Sequence, residues 1–116
     1  MGLLEELTKT SSLIEPFRNP CTPIEIRSCL LKLYTIHGEV LRQAKRKKTK
    51  ESTVKLPFLW ILSPTCSTRI LEDFEGKLGE NEQKGVYFFP KGLYAAVIVI
   101  HQLPINQDTR DRKSVV

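Results

Sequence analysis

The stretch Leu56-Pro57-Phe58-Leu59-Trp60-Ile61-Leu62-Ser63-Pro64 constrains the fold more than any other in this chain. Five consecutive apolar residues stand between two prolines. Proline is not accommodated inside a helix, and the run is too short for one. A β-strand alternates its side chains between two faces, so an unbroken apolar run needs cover on both. The run therefore predicts a short strand at the centre of a sheet. The cover must come from elsewhere in the 116 residues, a length that suits one domain.

Thr22-Pro23-Ile24-Glu25 carries the clearest helix start. Thr22 suits an N-cap, Pro23 suits the first helical position, and Glu25 stands where it closes a capping box. Ile26, Leu30, Leu33, His37, Val40 and Ala44 then recur at alternating spacings of three and four, which is one helical face. Gly38 weakens that helix by about 1 kcal/mol relative to alanine without ending it. The spacing predicts a helix over 23–47. Ser63, Thr65 and Ser67 are all candidate caps for a second helix, which buries Ile70, Leu71 and Phe74 and stops at Gly76. Gly85 to Phe89 and Tyr94 to His101 read as two strands joined by a turn, an antiparallel hairpin.

The predicted fold class is thus α/β: a small mixed sheet of about three strands, one central strand plus a C-terminal hairpin, packed by two helices. Residues 1–104 form one domain. Gly2 to Lys9 is a short helical piece, and Thr10 to Asn19 is an irregular connection broken by Pro16 and Pro20 and anchored by Phe17. Lys48 to Lys55 and Lys77 to Lys84 read as loops, and 105–116 as a disordered polar tail.

No apolar run reaches the roughly 18–20 residues that span a bilayer. The start carries Glu5 and Glu6 and no basic region, unlike a secretory signal. Gly2 is not followed by the Ser or Thr that myristoylation favours, because Glu6 stands there. Cys21, Cys29 and Cys66 are odd in number and form no CxxC pair. They predict buried thiols in a reducing, cytoplasmic compartment rather than a disulfide framework.

The net charge of +5 has one local source. Arg42, Lys45, Arg46, Lys47, Lys48 and Lys50 place six cations in nine residues without an acid, leaving 12 basic and 13 acidic side chains elsewhere. These six are the candidate nucleic-acid-binding residues. Such a run contacts phosphates without reading sequence. No aromatic interleaves with it, so it carries no platform for stacking single-stranded bases. The alternative is a solvated helix end whose cations suit the helix dipole.

Other chemistry is sparse. Glu75-Gly76-Lys77 and Glu82-Gln83-Lys84 are Glu-x-Lys triplets, with Asp73 near the first, but both fall at a helix end or in a loop. His37 lies on the apolar helix face and His101 at the end of the last strand, neither with a neighbouring base or nucleophile in sequence. Four-ligand zinc spacing and glycine-rich phosphate loops are absent. No cofactor, metal site or catalytic residue is expected.

The segments Leu59 to Thr65, Gly85 to Lys91 and Val97 to Pro104, together with Glu15 to Pro20 and Arg27 to Leu30, resemble an uncharacterised family common in cyanobacteria. The likeness runs from about Leu3 to Pro104. That family is distantly similar to PD-(D/E)XK nucleases, so the resemblance implies a restriction-endonuclease-like core. In such nucleases an Asp on one strand and a Glu-x-Lys on the next hold a divalent metal that activates water. The resemblance also implies acidic strands before Leu3 and a helix after the last strand, from which Thr109 to Val116 departs. The chain is therefore expected to be a nuclease-like core shortened at both ends, non-catalytic, with weak nucleic-acid binding through the basic run. An active metal-dependent nuclease is one alternative. A structural protein that pairs through an exposed sheet edge, as a homo-oligomer, is another.

Overall fold

A computed structural model describes residues 12–50, 53–79 and 84–104. Its elements are β1 (Ser12–Pro16), α1 (Pro23–Arg46), β2 (Phe58–Ser63), α2 (Thr68–Asp73), β3 (Lys77–Leu78), β4 (Val86–Phe88) and β5 (Ala95–Val99). Single 3-10 turns occupy Lys91–Leu93 and Ile100–Gln102. The helical piece expected at Gly2 to Lys9 and the tail at 105–116 lie outside the described residues, as does Glu82.

The strands make one mixed sheet in the order β1-β2-β5-β4-β3. β1, β2 and β5 are parallel, with Ile14 opposite Trp60 and Trp60 opposite Ala96. β5 pairs antiparallel with β4, and β4 with β3. The apolar run at 58–62 is interior, as its composition requires. The expected hairpin is β4 and β5, in register from Val86 opposite Ile98 to Phe88 opposite Ala96.

The described sheet has five strands, not about three. The segment expected to be irregular contains β1, where Ser12, Glu15 and Pro16 mask the apolar signal of Leu13 and Ile14. β1 lies at the end of the strand order, where proline is tolerated. The ladder continues one residue past Pro16, as the Phe17 N–H donates to the Leu62 carbonyl at 2.8 Å. The segment expected to be a loop after α2 opens with β3, only two residues long. No periodicity develops in two residues.

Alternation along the strands builds two apolar layers. Leu59, Ile61, Ala95 and Val97 face Ile26, Cys29 and Leu33 of α1, and Leu71 and Phe89 complete that layer. Trp60, Val86, Ala96 and Ile98 form the opposite layer, with Phe58, Leu62, Phe88 and Leu103 packed against it. Each fully buried side chain of this size contributes roughly 1.5–3 kcal/mol. Phe58, Trp60 and Phe88 also make a tilted aromatic cluster, with ring centroids 5.0 to 6.3 Å apart.

The helix ends follow from local chemistry. The Thr22 hydroxyl accepts from the Glu25 N–H at 3.2 Å, and the Thr22 N–H donates to Glu25 Oε1 at 2.9 Å, closing the capping box. Of the three candidate caps for α2, Ser67 serves: its hydroxyl accepts from the Ile70 N–H at 3.2 Å. The residue that turns the chain out of α2 is Glu75, at φ 55°, not Gly76. The Gly76 N–H reaches back to the Leu71 carbonyl at 2.7 Å and the Glu75 N–H to Glu72 at 3.1 Å, a Schellman motif. A Cβ at Gly76 would stand 3.2 Å from Leu71 Cδ2, so the Leu71 side chain would have to give way by a few tenths of an ångström.

Candidate functional site

The basic run occupies the C-terminal end of α1. Two contacts orient that helix against the sheet. Near its start, the Cys21 N–H donates to the Ser63 hydroxyl at 3.0 Å, at the far end of β2. Further along, His37 Nε2 meets the Pro57 carbonyl at 2.8 Å, just before β2 begins. α1 therefore runs antiparallel to β2. It continues past His37 to Arg46, roughly 13 Å of helix beyond its meeting with Pro57.

A second Schellman motif closes this end. The Thr49 N–H donates to the Ala44 carbonyl at 2.8 Å and the Lys48 N–H to Lys45 at 3.0 Å. Lys48 holds the left-handed conformation, φ 58°, that glycine usually supplies. Three of the last helical carbonyls of α1 are thus satisfied, since Lys47 N–H also donates to Gln43. The motif fixes the path of the chain through the cations.

Arg42, Lys45, Arg46, Lys47, Lys48 and Lys50 are all exposed. Arg42 bridges Glu39 at 2.6 Å, three residues earlier. The Arg42 guanidinium, through that bond and its charge, holds the Glu39 carboxyl below the usual range. Among the described residues, the other five cations enter no ion pair. Their summed charge far exceeds the partial negative charge of the helix end, about half a unit, so positive charge remains available to an external anion.

The acidic candidates do not converge. Asp73, Glu75 and Lys77 are exposed. Glu75 sits at the left-handed turn after α2, and Lys77 opens the edge strand β3. Of the second triplet, only Lys84 is described. Among the described residues no group of three or more histidine, cysteine, aspartate or glutamate side chains could hold a metal.

His37 is a hydrogen-bonded core residue, 8% exposed. A carbonyl only accepts, so Nε2 carries the proton it gives to Pro57. Tyr34 and Tyr94 meet its ring edge-on at 5.7 and 5.2 Å. The Tyr34 hydroxyl donates to the Leu93 carbonyl at 2.8 Å. These contacts engage His37 in joining α1 to the starts of two adjacent parallel strands, β2 and β5. His101 is exposed in the last 3-10 turn.

A hollow of about 200 Å³ lies between β1 and the first turns of α1, lined by Glu15, Phe17, Glu25, Ser28, Cys29 and Lys32. Its charged groups are already committed. Lys32 bridges Glu15 at 2.8 Å, and Glu25 closes the capping box.

One cluster had no signal in the sequence. Cys21 and Cys66, far apart in the chain, meet beside Ser63, and their thiols share a hydrogen bond. Ser63 is fully buried; its hydroxyl donates to the Thr65 carbonyl at 2.7 Å while accepting from Cys21. Accepting from Cys66 first, and secondarily the nearby Ser63 hydroxyl dipole, moves the Cys21 thiol below the ordinary range against the opposing effect of burial. The shared bond and burial hold Cys66 protonated, well above that range. Burial also raises Cys29, which lies in the same core layer. Spacing rules for cysteine detect motifs within one segment, and this pair joins the turn before α1 to the turn after β2.

No protein-family model matches this chain, and no curated protein or solved structure is significantly similar to it.

Proposed function

We propose that this chain is a non-catalytic, nuclease-like domain that binds nucleic-acid backbones without sequence preference through Arg42, Lys45, Arg46, Lys47, Lys48 and Lys50. One observation carries the reading: five exposed cations without ionic partners among the described residues, held together at a capped helix end. The restriction-endonuclease-like core belongs to the same proposal. Its support is a mixed sheet in which α1 joins the parallel strands β1 and β2. A reducing, cytoplasmic setting also belongs to it, supported by three free cysteines. No described helix is long and apolar enough to cross a membrane.

The test is fluorescence anisotropy of a labelled duplex across a salt series. Each phosphate contact lowers the log–log salt slope by about 0.9, so five or six contacts give a slope of roughly −5. Neutralising Lys45, Arg46, Lys47 and Lys48 to glutamine should flatten it by more than half. A complex indifferent to salt, or unchanged in that variant, would sink the proposal.

A second reading is association through the sheet edge. It is favoured by the place of β1 at the end of the strand order and by Ile14, which is 46% exposed there. Light scattering that gives a monomer at high concentration would remove it.

A further inference from the structure

We propose that Cys21 and Cys66 are a reversible oxidation site, a thiol pair that a peroxide converts to an intramolecular disulfide. The inference is independent of nucleic-acid binding. It rests on the meeting of the two thiols, on Ser63, and on their place in the fold.

One Ser63 hydroxyl accepts from the Cys21 N–H at 3.0 Å and donates at 2.7 Å to the carbonyl of Thr65, the neighbour of Cys66, so both cysteines leave the same buried point and pack on one core layer. Bond formation asks for a further approach to about 2.05 Å, not for a rearranged sheet. Both residues lie in turns, one before Thr22 caps α1 and one between β2 and the Ser67 cap of α2. Turns absorb such a movement more readily than the strands beside them. Ser63 ties the backbone of Cys21 to the end of β2 and holds the pair in place. Cys21 is buried, whereas Cys66 is partly exposed and gives a small oxidant access from its side.

The chemistry balances with a peroxide as oxidant. The Cys21 thiolate attacks one peroxide oxygen, the O–O bond breaks, and the departing hydroxide takes the Cys66 proton to become water. Cys21 is then a sulfenic acid and Cys66 a thiolate. The Cys66 sulfur attacks the Cys21 sulfur, the S–O bond breaks, and the second hydroxide is neutralised by the proton Cys21 gave to solvent on ionising. Two thiols lose two electrons and the peroxide becomes two waters. The groups facing Cys21 agree with this order of events. Cys66 and Ser63 favour its ionised form, and burial and the charge of Glu25 oppose it. Cys29 is fixed within α1 and buried beside Ile26 and Leu33, not in a connecting segment, which leaves it out of the reaction.

The product would tie the turn before α1 to the turn after β2, at the end of α1 opposite the basic run. A thiol of the glutathione class would reverse it by exchange.

The full chain, reduced and folded, is treated with equimolar hydrogen peroxide, unfolded in iodoacetamide, and analysed by intact mass and peptide mapping. The expected result is a loss of about 2 Da, one alkylated cysteine, Cys29, and a linked Cys21–Cys66 peptide that reduced glutathione opens. Cys29→Ser should leave that result unchanged. Cys66→Ser should stop at a Cys21 sulfenic acid, which dimedone traps. Full alkylation of Cys21 and Cys66 after peroxide would overturn the proposal. So would a disulfide through Cys29, or an equal rate of pairing in urea, where the fold no longer holds the two thiols together.

Discussion

His37 Nε2 donates to the carbonyl of Pro57 at 2.8 Å, inside the layer between α1 and the sheet. The bond joins the middle of the helix to the residue that precedes β2. Pro57 has no N–H, so its carbonyl is its only backbone hydrogen-bonding group. His37→Leu keeps the apolar volume and leaves that carbonyl without its donor. The expected cost is about 1–3 kcal/mol in urea unfolding, and His37→Gln, which restores a donor, should recover part of it. A His37→Leu protein as stable as the parent would show that the bond contributes nothing.

Lys48 holds φ 58° at the end of α1, a conformation disfavoured for any residue with a Cβ. Lys48→Gly should stabilise the chain by roughly 1 kcal/mol, seen as a higher melting temperature. Lys47 is the control, because it stands at φ −86°. Lys47→Gly should destabilise the helix end by a similar amount. Both variants remove one cation, so equal changes in the two would trace the effect to charge rather than to the backbone.

Gly85 stands at φ 97°, where the chain enters β4. A Cβ there would lie 3.0 Å from the Val99 carbonyl oxygen and 3.1 Å from the Leu103 nitrogen. Both are backbone atoms, one at the end of β5 and one just past the 3-10 turn that follows it, and the Val99 N–H also donates to the Gly85 carbonyl at 2.7 Å. Gly85→Ala combines a strained backbone with a contact that cannot yield by rotating a side chain. It should cost about 2 kcal/mol or more and loosen β4 first, detected as faster amide exchange at Val86 and Tyr87. Unchanged exchange there would contradict the assignment.

These positions mark how far the sequence carried the fold. Pro57 and Pro64 bound the β2 run, and Thr22, Pro23 and Glu25 placed the start of α1, because each signal is local. The spacing from Ile26 to Ala44 identified the buried face, and the six cations were legible as a charge cluster on its exposed end. β1 was not legible, because an edge strand pairs on one side and its short polar sequence looks like a connection. Glu75 and Lys48 were missed as helix-ending residues, since the left-handed position was filled by a residue with a side chain. Cys21 and Cys66 come together only through packing of α1 on β2, and no residue spacing encodes that.

The hydrogen bond between Cys66 and Cys21 gives folding a distinctive pH dependence. In the unfolded chain both thiols ionise in the ordinary range, near ~8.5. In the folded chain Cys21 is lowered, first by accepting from Cys66 and then by Ser63, against burial. Between its folded value and the ordinary range the unfolded chain therefore holds more protons, and stability rises with pH. Cys66 is raised by the same bond and by burial. Above the ordinary range the folded chain holds more protons, and stability falls again. Each tenfold change in an ionisation constant is worth about 1.4 kcal/mol, so urea midpoints resolve both limbs. Cys66→Ala removes the donor and should flatten the rise through neutral pH. Ser63→Ala should reduce it and also cost about 1–3 kcal/mol, because the Cys21 N–H and the Thr65 carbonyl both lose their partner. A parent profile that matches Cys66→Ala would show that the two thiols titrate independently.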